Sequence, residues 1–147
     1  MVGDTVFIFY SAVQGDHTYN VLQHAQPGDA DYEKFRQRAT ASIGVATIRR
    51  DGFVSLDAGD EQGVLVTRRF PWPGQRRLHI NADLSGGSMV VEVVAPGGRV
   101  LARSPRVTGD QRGFAVGFDE HLRDSQRVAV QLRFRLTHAK FYAFWFE

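Results

Sequence analysis

Two groups of acidic side chains are the first candidates for chemistry in this sequence. Asp57, Asp60 and Glu61 stand in one segment, and Asp119 and Glu120 are adjacent in another. Hydrolysis of a glycosidic bond needs a carboxylic acid and a second carboxylate flanking the scissile bond. A pair could be assembled from these residues, but a chain with 16 acidic residues always allows that. We therefore expect turn and solvated-loop roles for them, and no catalytic residue.

Calcium binding is the other interpretation of the first acidic group. Hard cations take several oxygen ligands from carboxylates and backbone carbonyls, and Asp57, Asp60 and Glu61 lie between predicted strands. No EF-hand spacing is present. These three residues are the candidate metal ligands, for a structural Ca²⁺, with plain turn chemistry around Ala58 and Gly59 as the alternative.

Histidine, serine and cysteine provide no catalytic motif. The histidines show no HxH or HExxH spacing, and the serines have no GxSxG context. The absence of cysteine excludes disulfides, thiolate metal sites and cysteine nucleophiles. These residue types therefore give no positive signal for catalysis. The five histidines are His17, His24, His79, His121 and His138.

Aromatic side chains are the candidates for sugar recognition, because their faces stack on the apolar face of a pyranose. Trp72 lies in a stiff turn, Pro71-Trp72-Pro73-Gly74, where a large aromatic must either pack or bind. Packing at the end of the fold is the alternative to binding. The other candidate ligand-binding residues lie between residues 13 and 41 and are Tyr19, Tyr32, His17 and Asn20.

Arginine supplies almost all of the positive charge. The chain has 18 Lys and Arg against 16 Asp and Glu, a net charge of +2 that does not favour nucleic acid as a partner. Guanidinium groups suit carboxylates, so acidic polysaccharides could bind a basic sheet face, whereas a solvated strand face is the alternative. The arginines of that face would be Arg68, Arg69, Arg76, Arg77, Arg127, Arg133 and Arg135.

Short β-type runs separated by Gly, Pro, Asp and Asn predict the elements that position these residues. The predicted strands span residues 5–12, 42–49, 53–56, 64–70, 77–83, 88–94, 99–102, 114–118, 127–136 and 141–146. Asp51-Gly52 predicts a hairpin between residues 42–49 and 53–56. Alternation places Val128, Val130, Leu132, Phe134 and Leu136 on one face of their strand. The fold class is therefore all-β, an antiparallel, jelly-roll-like β-sandwich.

One domain, residues 1–147, accommodates these strands. Residues 5–12 form a leading strand buried on both faces, residues 13–41 an insert, and residues 42–147 the sandwich body. The insert carries the only predicted helix, residues 29–39, capped by Asp29 and burying Tyr32 and Phe35. Period two puts Phe141, Ala143 and Trp145 on one face of the last strand, which is expected to be core or interface.

Neither a membrane span nor a signal peptide is predicted. No run reaches the roughly 20 apolar residues that cross a bilayer, and the start lacks a basic segment followed by an apolar one. We expect no membrane partner.

Three stretches of the sequence resemble a known module, and together they cover about the last two thirds of the chain. They are IGVATIRRDGFVSLDAG (43–59), LHINADLSGGSMVVEVVAPGGRVL (78–101) and VAVQLRFRLTHAKFYAFWF (128–146). In this order they resemble the C-terminal β-sandwich module of secreted bacterial proteins with a five-bladed propeller like that of glycoside hydrolase family 32. Residues 5–10 then resemble the closing strand of that propeller.

The resemblance implies a non-catalytic carbohydrate-binding module associated with polysaccharide degradation, because the propeller that carries the carboxylates of glycoside chemistry is absent from this sequence. Its partner would be a polysaccharide or oligosaccharide, and its location extracellular or in the cell envelope. The alternative is a structural or interaction module, either packing on a propeller or forming a homodimer through the terminal aromatic strands. A small metal-dependent polysaccharide-active enzyme is a further alternative, although a module without catalysis is expected.

Overall fold

The computed structural model describes residues 1–14, 26–30, 32–33, 40–119 and 129–147. Within these residues every strand pair is antiparallel, so the predicted all-β class is confirmed. The strands are β1 (Thr5–Gln14), β2 (Thr40–Arg49), β3 (Leu56–Ala58), β4 (Gly63–Val66), β5 (Phe70–Pro71), β6 (Leu78–Val94), β7 (Val100–Arg103), β8 (Val107–Ala115), β9 (Ala129–Thr137) and β10 (Ala139–Phe146). The chain divides into two compact units, residues 1–49 and residues 50–147.

The first unit is a two-stranded ribbon. β1 pairs with β2 along its whole length, from Thr5 opposite Arg49 to Gln14 opposite Thr40. The predicted hairpin between residues 42–49 and 53–56 is therefore wrong, and residues 42–49 group with β1 instead of opening the sandwich body. The ten-residue partner strand offers β2 a longer ladder of backbone hydrogen bonds than residues 53–56 could.

The sequence also predicts burial of the leading strand on both faces and a short helix in this unit. Burial of residues 5–12 on both faces is wrong, because Phe9 and Tyr10 are exposed. The predicted helix of residues 29–39 is not seen in the described part of the chain. Residues 31 and 34–39, which make up most of it, lie outside the described residues. At its expected start, the backbone N–H of Glu33 donates to the Asp29 carbonyl, and the Asp29 carboxylate accepts from the backbone N–H of Gln26.

The second unit is one continuous eight-stranded sheet organised around β6, and the two halves of β6 divide it into a first and a second sheet. Residues 78–83 pair with β10 on one side and β8 on the other, whereas residues 88–94 pair with β9 and β7. β3 extends the first sheet next to β10, and β4 and β5 extend the second next to β9. The sequence predicts a break at Ser85-Gly86-Gly87, but the strand bends there and continues.

The core lies between the inner faces of these two sheets. Before the bend in β6, the even-numbered apolar residues Leu78, Ile80, Ala82 and Leu84 are buried, and after the bend the odd-numbered ones are. On β9 the predicted inward face is confirmed in the described residues, which are Val130, Leu132, Phe134 and Leu136. After the bend the buried residues of β6 are Met89, Val91 and Val93. Because the buried positions change from even to odd at the bend, both halves of β6 turn apolar side chains toward the core.

The predicted faces of the terminal strand are wrong, because β10 contains a bulge. The pairing with β6 shifts between Phe141 and Ala143, and such a bulge reverses the alternation beyond it. Phe141 and Phe144 therefore both pack on Phe134, with ring centroids 4.7 Å and 5.4 Å away. Trp145 stacks on His79 at 5.6 Å. Most of the terminal aromatic strand is thus used inside the fold.

The chain crosses between the two sheets at two adjoining corners. β6 bends at Gly86 and Gly87, and β9 passes into β10 at His138, which has a positive φ of 45°. A Cβ added at Gly87 would lie 1.9 Å from the carbonyl oxygen of Thr137. Only glycine fits that approach, so the Gly87 corner is fixed by backbone contact.

Candidate ligand-binding site

A buried carboxylate holds three arginines on the outer face of the second sheet. Glu92 of β6 is fully buried, although its side chain points away from the core. Its Oε1 accepts a hydrogen bond from Arg103 of β7, and its Oε2 accepts from Nε of Arg133 and Nε of Arg135 of β9, at 2.5 Å and 3.2 Å. The register explains the contact, because Glu92 lies opposite Arg103 on one side and Arg133 on the other.

The electrostatics keep Glu92 charged. Burial alone would raise the pKa of its carboxyl, but the hydrogen bonds from Arg133, Arg103 and Arg135 outweigh burial and lower the pKa below its ordinary value. An ionised, triply paired carboxylate stabilises the arginine row and cannot serve as a general acid near neutral pH.

Beside this row lies an open depression of about 550 Å³. None of its lining residues is acidic. They are Gln62, Gly87, Ser88, Val90, Arg103, Arg106, Thr108, Arg135, Thr137 and His138. Hydroxyl, amide and guanidinium groups therefore converge on a wide surface that suits a polar, extended ligand better than an enclosed apolar one.

The predicted basic face is assembled only in part. Arg133 and Arg135 join the row, whereas Arg127 lies outside the described residues. Arg68 and Arg69 are exposed and do not line the depression. Sequence reasoning missed Arg103, Arg106 and the central Glu92. The available signal was a single acidic residue within the apolar run MVVEVV, in a strand whose neighbour carries arginine at alternate positions.

Trp72 packs at one end of the sandwich. Its indole N–H donates to the carbonyl of Gly74 at 3.0 Å, and its ring meets Phe118 and Phe146 edge to face at 6.1 Å and 5.6 Å. One side of Trp72 also lines a second depression of about 340 Å³, together with Arg76 and Arg77. Trp72 thus has a packing role, and its remaining surface adjoins two arginines.

The other predicted ligand-binding residues stay a prediction. Tyr19, His17 and Asn20 lie outside the described residues. Tyr32 belongs to the first unit and is half-buried.

Two of the three candidate metal ligands, Asp57 in β3 and Asp60, have ordinary polar contacts. Asp57 accepts a hydrogen bond from the Ser55 hydroxyl at 2.6 Å, and Asp60 lies 3.5 Å from His138 Nε2 while its side chain is 98% exposed. In the part of the chain that the structure describes, no three His, Cys, Asp or Glu residues form a metal-binding group. Calcium at Asp57, Asp60 and Glu61 stays a prediction.

Asp119 of the other acidic group supports the backbone of β7. Its carboxylate accepts from the backbone N–H of Arg103 at 2.8 Å, and its own N–H donates to the Arg103 carbonyl at 3.0 Å. Its neighbour Glu120 lies outside the described residues. Asp119 therefore fixes the end of the strand that presents Arg103.

Comparisons with known proteins give no relative for this chain. No family model matches it, and neither a curated protein nor a solved structure matches it. Among the described residues, no helix is long and apolar enough to cross a membrane.

Proposed function

We propose that this chain is a non-catalytic carbohydrate-binding β-sandwich module associated with polysaccharide degradation, at the cell envelope or outside the cell. The observation that carries the proposal is the open polar depression on the second sheet. Saccharides are recognised by planar polar groups that bond to several hydroxyls, and Gln62, Arg103 and Arg135 supply such groups there. The sequence resemblance to an accessory module of glycoside hydrolases points to the same class of ligand.

Affinity electrophoresis against neutral and acidic polysaccharides tests this proposal. The wild-type chain should be retarded by at least one glycan, and Arg106→Gln and Trp72→Ala should show which of the two depressions is responsible. A parallel series with EDTA tests the structural Ca²⁺ at Asp57, Asp60 and Glu61. Free migration through every soluble glycan, together with no retention on insoluble cellulose, chitin or fructan, would contradict the proposal.

Self-association through the ribbon of β1 and β2 is the second candidate function. Phe9 is 73% and Ile43 is 83% exposed, and in the described residues β1 and β2 pair only with each other. An isolated two-stranded ribbon is at best marginally stable in water. A second copy could pair the edge of its own ribbon with the same edge of this one. The two edges would run antiparallel, because a two-fold axis relates identical surfaces of the two copies. The occupant of this surface is therefore a second copy of the chain.

Light scattering over a range of concentrations tests the second candidate. The wild-type chain should be a dimer, and Phe9→Ser should shift it to monomer without loss of the second unit's folding. Val54→Ser is the matched control, because Val54 is equally exposed but lies outside the ribbon. A monomer at all concentrations would contradict self-association and would leave glycan binding untouched.

A further inference from the structure

The charge of the outer sheet face narrows the ligand class of the proposed glycan site. Arg103, Arg133 and Arg135 share one carboxylate. Three positive charges against one negative charge leave an excess of two on this row. Arg135 also donates from a terminal nitrogen to Oε1 of Gln62 at 3.0 Å. Each guanidinium has five N–H donors, more than these bonds use, so donors remain to meet an anion from solution.

Arg106 adds a further positive charge at the same place. It lines the depression and is exposed, and no hydrogen bond or ion pair joins its side chain to any of the described residues. Besides Glu92, the Asp119 carboxylate accepts a hydrogen bond from the backbone N–H of Arg103, and the exposed Asp60 lies 3.5 Å from His138 Nε2. The depression is therefore a cationic surface.

The lining residues include no Phe, Tyr or Trp, and His138 supplies the one aromatic ring among them. Neutral sugars are commonly held by stacking on aromatic faces, and single-stranded nucleic acids by stacking of successive bases. A site with three arginines, several hydroxyls and an amide but no Phe, Tyr or Trp face is suited mainly to ionic and hydrogen-bond contacts. Carboxylate and sulfate groups accept two parallel N–H bonds from a guanidinium and so fit these donors.

We propose that the arginine-lined depression on β6, β7 and β9 binds an anionic saccharide, one whose carboxylate or sulfate groups pair with Arg103, Arg106 and Arg135. This inference rests on the proposed function and specifies the ligand of the same site. Glu92 holds Arg103 and Arg135 at a fixed spacing, so that less side-chain entropy is lost when an anion binds. The ligand's hydroxyl groups would bond to Gln62, Thr108 and Thr137.

Isothermal titration calorimetry with four probes tests this inference. The probes are an oligogalacturonate, a sulfated dextran oligomer, a neutral maltooligosaccharide and an oligodeoxythymidylate, each at about 150 mM salt and again at lower salt. We expect binding of the oligogalacturonate, the sulfated oligomer or both, weakening as salt rises. Arg106→Gln should weaken it about fivefold, as expected for one exposed ion pair. Arg99→Gln is the matched control, since Arg99 is exposed and lies outside the depression.

The four probes separate failure of this inference from failure of the proposed function. Carboxylate or sulfate binding that Arg106→Gln weakens and Arg99→Gln does not would support the inference, and the better probe identifies the anion. Binding of the neutral oligomer alone would overturn the inference while the proposed function stands. Binding of the oligodeoxythymidylate alone would overturn both in favour of nucleic acid. Absence of binding to all four, and to every glycan in the electrophoresis, would overturn both.

Discussion

The carboxylate of Glu92 and the guanidinium of Arg133 are joined across neighbouring strands by a 2.5 Å hydrogen bond from Nε to Oε2. Glu92 is fully buried, whereas the side chain of Arg133 is 23% exposed. A charge buried in this way is tolerated only when it is paired and hydrogen-bonded. The outer face of the second sheet is therefore stabilised by an ionic contact, and the same carboxylate also holds Arg103 and Arg135, which we propose bind the ligand.

Replacing Glu92 by Gln should destabilise the second unit. Removing one partner of a fully buried ion pair costs about 3 to 5 kcal/mol, but the arginines here are partly hydrated, so we expect about 2 to 3 kcal/mol. Urea denaturation followed by tryptophan fluorescence measures the change in unfolding free energy. Asp60→Asn is the control, because the Asp60 side chain is 98% exposed. Equal stabilities of the two variants would contradict the assigned role of Glu92.

Stability should fall with acidification because of the same residue. The folded pKa of Glu92 lies below its ordinary value of 4.5, so the folded chain binds this proton less readily than the unfolded chain. The contribution of Glu92 to stability is therefore full above pH 4.5 and is lost as pH falls through the lower, folded pKa. The stability difference between wild type and Glu92→Gln, measured by denaturation across pH, should shrink below pH 4.5. A difference independent of pH would contradict this account.

Gly87→Ala should be far more damaging than Gly86→Ala. A Cβ at Gly87 would meet the Thr137 carbonyl oxygen at 1.9 Å, whereas at Gly86 the nearest atom, the His138 carbonyl oxygen, is 3.6 Å away. The first change forces backbone atoms apart at the corner, which costs about 1 to 3 kcal/mol or more. Thermal unfolding of both variants measures the effect. Similar melting temperatures for the two would show that the corner is not as close as described.

Trp72→Ala should lower stability through lost packing. Burying a large aromatic contributes about 3 to 5 kcal/mol when it is complete, and Trp72 is only partly buried against Phe118 and Phe146, so we expect about 2 kcal/mol. Phe53→Ala is the control, because Phe53 is 67% exposed and should be neutral. Chemical denaturation measures the unfolding free energy of both variants. An unchanged value for Trp72→Ala would contradict the packing role and favour a Trp72 ring that is free to stack on a sugar.

Much of the fold could be predicted from the sequence, because alternating apolar residues define a half-buried strand. The inward face of β9 and the all-β class follow from that pattern. The pattern could not predict that the buried face switches at Gly87 and at the bulge after Phe141, because both switches depend on contacts with distant strands. The pairing of β2 likewise depended on a partner strand some thirty residues earlier.

The candidate site was less predictable than the fold. Two of its arginines, Arg133 and Arg135, follow from the alternation of β9 alone. Glu92 and Arg103 lie on consecutive strands, but Arg133 is 41 residues from Glu92 in the sequence, so only the register of β6 with β9 places it beside them. The sequence also could not show that the Trp72 ring would meet Phe118 and Phe146.

The most direct test of the central claim is to map the ligand on the protein by two-dimensional amide NMR, with and without an oligogalacturonate or sulfated oligosaccharide. Shifts should cluster at Ser88, Arg103, Arg106 and Thr137, around the arginine row, and spare the β1–β2 ribbon and the Trp72 end. Shifts centred on Trp72 or on the ribbon, or a spectrum unchanged by either ligand, would contradict the central claim.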